Sequence, residues 1–103
     1  MSKLEVKGKT VVLDCITLWL TNFYMDTNFL VEDSYKQAKA EWDLFSRNDM
    51  ELIVISNEIG MGGHAETPAG RKFADLQGMM NQYIAKQADA AFLMVSGIPL
   101  KIK

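Results

Sequence analysis

Three short runs of apolar sequence, rich in β-branched residues in the first two, punctuate the chain: Thr10-Val11-Val12-Leu13, Leu52-Ile53-Val54-Ile55 and Ala91-Phe92-Leu93-Met94-Val95. None alternates apolar with polar residues, the pattern of strands covered on both faces in a mainly parallel sheet. Between the runs the spacing becomes helical. Ile16 to about Met25 is densely apolar, with Leu18, Trp19, Leu20, Phe23 and Tyr24. A buried helix fits best there, although the pattern by itself also allows a strand. Asp26-Thr27-Asn28 interrupts it. Ser34 with Gln37 predicts a capping box. Behind it Tyr35, Ala38, Trp42 and Phe45 recur at helical spacing, and Arg47-Asn48-Asp49 ends the segment. Thr67-Pro68 predicts another helix start, with Thr67 as N-cap and Pro68 in the first turn. Phe73, Leu76, Met80, Tyr83, Ile84 and Ala88 then line one side. Ser96-Gly97 reads as a turn, and Ile98 to Ile102 as a closing edge strand in which Pro99 is tolerated.

The order β-α-α-β-α-β-β gives the α/β class. The expected architecture is a three-layer sheet with parallel strands near 10–14, 51–56 and 91–95 and an antiparallel closing strand. The 103 residues suit one domain, with residues 1–9 as a polar lead-in. Apolar residues at 49% are sufficient for a packed core. A net charge of −2 argues against a nucleic-acid partner, which favours a basic face. No apolar run approaches the ~18 residues of a membrane span, and Met1 to Glu5 is too polar for a signal peptide. A single cysteine, Cys15, excludes an internal disulfide and a thiolate metal cluster, which makes the cytoplasm the expected setting.

Candidate chemistry gathers where apolar runs end. In open α/β sheets, ligands bind beyond the carboxyl ends of the strands. The first run ends at Asp14 and the second at Ser56-Asn57-Glu58. An acidic residue closing an apolar strand is the arrangement that helps hold Mg²⁺ on a nucleoside triphosphate. A carboxylate there equally suits a cap on the following helix. Gly60-Met61-Gly62-Gly63 would let backbone approach a ligand, but it does not match GxxxxGK[ST], so it is not a phosphate cradle. His64, the sole histidine, sits in a polar segment without metal-ligand neighbours. Cys15 at a helix start could be acidified, but a packing role is the simpler one.

Four separated segments carry a family resemblance. Val11 to Asn22 resembles the central strand and following helix of the bifunctional adenosylcobinamide kinase / adenosylcobinamide-phosphate guanylyltransferases. Ile55-Ser56-Asn57-Glu58-Ile59-Gly60-Met61-Gly62 is similar to their (V/S)NEVGMG segment. Gly70 to Gln82 resembles their GRxFRDxxGxxNQ helix, and Ser96 to Lys103 their terminal SGIPLKIK-type strand. The likeness covers nearly all of residues 10–103. It implies a partial P-loop NTPase fold of RecA type, GTP or ATP with Mg²⁺ in the full-length enzyme, and the corrinoid adenosylcobinamide as substrate. It also implies that Asp14 occupies the nucleotide- and Mg²⁺-binding acidic position, with Asn57 and Glu58 on the active-site rim. The family's P-loop and guanylylated histidine belong to an N-terminal half with no counterpart here, and His64 is not that histidine. The resemblance therefore implies that these 103 residues carry no catalytic residue and are inactive alone, as a fragment of the enzyme. The alternative is a free-standing, non-catalytic half-domain with a structural or partner-binding role. Either way the expected partner is a second copy or a retained N-terminal piece.

Overall fold

A computed structural model describes residues 6–57 and 67–103. Its elements are β1 (Thr10–Asp14), α1 (Ile16–Asp26), α2 (Val31–Ser46), β2 (Glu51–Ile55), α3 (Pro68–Gln87), β3 (Phe92–Val95) and β4 (Ile98–Lys101). The order is the one the apolar pattern predicts, and the dense segment from Ile16 is a helix. Its core is made where three helical stripes meet. Ile16, Leu20 and Tyr24 of α1 join Ala38 and Trp42 of α2 and Leu76, Met80 and Ile84 of α3. The steps of four residues place each set on one helix face. Leu13, Leu52 and Val54 close this core from the strands.

β1 and β2 pair in parallel, Thr10 facing Glu51 and Asp14 facing Ile55. The supposed lead-in is part of this unit from Val6 onward. Val6 is buried, Gly8 N–H donates to Asp49 O (2.6 Å), and Glu51 N–H donates to Lys9 O (3.0 Å). Gly8 has φ +72°, a conformation that glycine adopts without steric cost.

Two expectations for the sheet need correction. The first is the three-layer arrangement. Among the described residues all three helices lie on one face of β1–β2, because their apolar stripes pack against one another as well as against the strands. No described helix covers the opposite face, where Val12 is 56%, Ile53 47% and Ile55 43% exposed. The second is the third parallel strand. β3 pairs with β4 alone, antiparallel, in a separate two-stranded sheet. Ser96 (φ +51°) and Gly97 (φ +76°) are both left-handed. That is the geometry of a two-residue hairpin turn, which commits one edge of β3 to its sequence neighbour. Pro99 sits opposite Met94 in β4, an edge strand of this two-stranded sheet, as expected.

The start of the second helix also differs. Helix α2 begins at Val31, with Leu30 at the N-cap and no side-chain cap. Ser34 lies inside the helix, fully buried. Its Oγ donates to Leu30 O (2.6 Å) and meets Thr27 Oγ1 at 2.7 Å. Glu32 and Asp33 occupy the first turn, where negative charge complements the helix dipole and makes the capping box dispensable. Helix α3 starts as predicted: Thr67 Oγ1 accepts from Gly70 N–H at 3.0 Å, with Pro68 in the first turn.

Candidate functional site

Parallel pairing brings the ends of β1 and β2 to one rim. Asp14 closes β1 opposite Ile55, and Ser56 and Asn57 continue from β2 at that same end. Asp14 is exposed, and its carboxylate makes no hydrogen bond or ion pair among the described residues. The N-cap of α1 is Cys15, half-buried, with no side chain capping that helix. The helix-capping alternative for Asp14 is thus not realised, and the carboxylate faces solvent.

Asn57 is held from two sides. Its Nδ2 donates to Thr17 Oγ1 in the first turn of α1 at 2.9 Å. Its main-chain oxygen accepts from Asn81 Nδ2 on α3 at 3.0 Å. Behind it Ser56 Oγ donates to Asn81 Oδ1 (2.6 Å), while Gln77 Nε2 donates to Ser56 Oγ and Asn81 Oδ1, both at 3.0 Å. Gln77 and Asn81 are one turn apart on one face of α3. A polar chain thus runs from inside α3, across the end of β2, to the start of α1.

Of the sequence candidates, the structure brings Asp14 and Asn57 to one end of the sheet. Glu58 lies outside the described residues, as do Gly60 to Gly63 and His64. The apolar pattern does not mark Thr17, Gln77 or Asn81 as rim residues. One signal was available for Gln77, an amide inside the apolar stripe Leu76, Met80, Ile84. Elsewhere, an open groove of about 850 Å³ runs between the start of α2 and α3, lined by Phe29, Leu30, Asp33, Lys72, Asp75 and Met79 among others. No rim residue lines it.

The donor set limits which metal could bind. Among the described residues no group of three or more His, Cys, Asp or Glu side chains gathers, so a protein-only metal cage does not fit. One exposed carboxylate does fit Mg²⁺ delivered on a nucleotide, since that ion typically takes one or two carboxylates and completes its shell with phosphates and water.

A family model described as cobinamide kinase / cobinamide phosphate guanyltransferase matches residues 1–102. The chain belongs to that family. It is 29% identical over 96 residues to the bifunctional adenosylcobalamin biosynthesis protein CobP of Pseudomonas aeruginosa, covering 93% of this chain and 54% of the relative. It is 30% identical over 113 residues to the bifunctional adenosylcobalamin biosynthesis protein CobU of Escherichia coli, covering 93% and 59%. The protein of the same name from Salmonella typhimurium is 31% identical over 110 residues, covering 90% and 58%. The chain thus spans little more than half the length of these curated relatives. No described helix is long and apolar enough to cross a membrane.

Proposed function

We propose that this chain provides the Asp14–Asn57 rim of a nucleotide-dependent transferase of cobalamin biosynthesis, one that phosphorylates adenosylcobinamide and then transfers GMP from GTP onto the phosphate. The observation that carries the reading is the open carboxyl end of the parallel pair. There a free carboxylate and an anchored Asn57 stand where α/β sheets bind ligands. In this reading Asp14 holds the Mg²⁺ of a bound GTP or ATP, whose role is to neutralise developing charge on the phosphates. Asn57, fixed by Thr17 and Asn81, presents its remaining amide capacity to the nucleotide, and Glu58 extends the rim.

The same reading makes the 103 residues inactive alone. No GxxxxGK[ST] occurs in them, and phosphoryl transfer depends on that loop and its lysine for positioning. Guanylyl transfer through a covalent intermediate needs its nucleophile. Incubating the purified chain with adenosylcobinamide, Mg²⁺ and labelled GTP tests this. The expected result is no adenosylcobinamide phosphate and no GDP-cobinamide, and turnover of either kind overturns it.

The exposed strand face supports a second reading, a half-domain that binds a partner. Val12, Ile53 and Ile55 on one sheet, and Phe92, Met94, Ile98 and Leu100 on the hairpin, are large apolar side chains exposed by 43–68%. Surfaces of this kind mark interfaces. The two readings are compatible when the partner supplies the phosphate loop.

A further inference from the structure

Gln77 has no solvent exposure, and its Oε1 has no hydrogen-bond partner among the described residues. Its amide orientation follows from its neighbours. Both Nε2 hydrogens are used, on Ser56 Oγ and on Asn81 Oδ1. Turning the amide over would set its oxygen against the oxygen of Asn81. The carbonyl therefore stays buried without a donor, an arrangement that lowers stability relative to an apolar side chain of the same shape. A methionine would fill the space and remove the unpaired carbonyl. It would strand nothing else, because Ser56 Oγ and Asn81 Oδ1 still bond each other at 2.6 Å. Gln77 is thus a poor choice for the core and a good one for holding two polar neighbours in fixed rotamers.

We propose that Gln77 is a positioning residue: with Asn81 it forms a latch by which α3 fixes Asn57 at the rim. The two-donor fork of Gln77 sets the Asn81 side chain, Asn81 Nδ2 holds the Asn57 carbonyl at 3.0 Å, and Asn57 Nδ2 is thereby kept on Thr17 at 2.9 Å. Helix α3 and the start of α1 become coupled through one rim residue. The purpose given to the latch rests on the nucleotide-rim reading above.

Two variants of the whole 103-residue chain test it, Gln77→Met and Asn81→Asp. Thermal unfolding reports the fold, and nuclear magnetic resonance of the Asn57 side-chain and backbone amides, without nucleotide, reports the rim. For Gln77→Met the latch predicts an unfolding midpoint equal to or above that of the parent. It also predicts Asn57 side-chain signals shifted toward those of a free amide. Asn81→Asp keeps the oxygen that accepts from Ser56 and Gln77 but loses the donor to Asn57, and should release Asn57 in the same way. A Gln77→Met chain with a midpoint several degrees lower and unmoved Asn57 signals would overturn the proposal, leaving Gln77 a core residue. Adding Mg·GTP to the parent separates the two ideas. Shifts at Asp14 and Asn57 that weaken ~10-fold in affinity in Gln77→Met support both. Absence of any shift in the parent overturns the nucleotide rim and, with it, the purpose of the latch, whereas the unliganded Asn57 signals still decide whether the latch exists.

Discussion

Single side chains in this protein have sharply different settings, and two tests follow from them. Leu20 is fully buried at the meeting point of the helices. Leu20→Ala should cost roughly 2–5 kcal/mol, a large share of a small domain's stability, read as a lower urea midpoint at unchanged slope. Tyr83 donates to Asp43 Oδ1 at 2.7 Å. That hydrogen bond, then burial, pushes its phenol above the ordinary range, and burial raises Tyr24 as well. Both phenols therefore stay protonated in the fold at a pH where unfolded tyrosines, with values of about 10, ionise. Their contribution is complete below pH ~10 and is lost as pH rises through the folded values. Urea midpoints should fall above pH ~10, and less so in Tyr83→Phe; a rise there would contradict the assignment. At this scale the shared position of Asp14 and Asn57 at one end of the sheet was legible in the sequence, because each follows an apolar run. It could not reveal that Asn57 bonds Thr17, 40 positions away, since such pairing depends on how strands and helices are brought together and leaves no local pattern.

At the scale of elements, local rules were legible where the decisive residues are neighbours in sequence. Thr67 with Pro68 marked the start of α3 correctly. Thr67→Ala should cost about 1 kcal/mol and Thr67→Ser should restore most of it, measured by chemical unfolding. Gly97 is a second such case. No atom lies within 4 Å of where its Cβ would sit, yet its φ is +76°. Gly97→Ala should therefore weaken the β3–β4 hairpin by about 1 kcal/mol through backbone strain alone, visible as faster amide exchange confined to β3 and β4. Ser34 shows where local reading failed. Its spacing to Gln37 imitates a cap, but the chain turns earlier, through Asn28 and Phe29 in left-handed conformations, and the N-cap is Leu30, four residues sooner. The antiparallel pairing of β3 with β4 was legible from the Ser96-Gly97 turn, but the separation of β3 from the β1–β2 sheet was not. An apolar run states that a strand can be buried, not which strand will lie beside it.

For the whole molecule, the missing layer dominates. The sequence demanded cover on both faces of the apolar runs, and the described residues provide it on one. Val12, Ile53 and Ile55 stay 56%, 47% and 43% exposed, and an exposed apolar sheet face of this kind marks an interface. The chain should therefore self-associate or retain a partner, and Ile53→Lys should lower the associated fraction in light scattering. A monodisperse, partner-free monomer at ~100 μM would speak for a self-sufficient module. Family membership and the open rim together make nucleotide binding at Asp14 and Asn57 the central claim. The most direct test is a titration of the isotopically labelled 103-residue chain with Mg·GTP, followed by nuclear magnetic resonance. The account predicts saturable shifts concentrated at Asp14 to Thr17 and at Ser56 and Asn57, abolished in Asp14→Asn. Shifts centred instead on the groove between α2 and α3, or a response unchanged in Asp14→Asn, would contradict it.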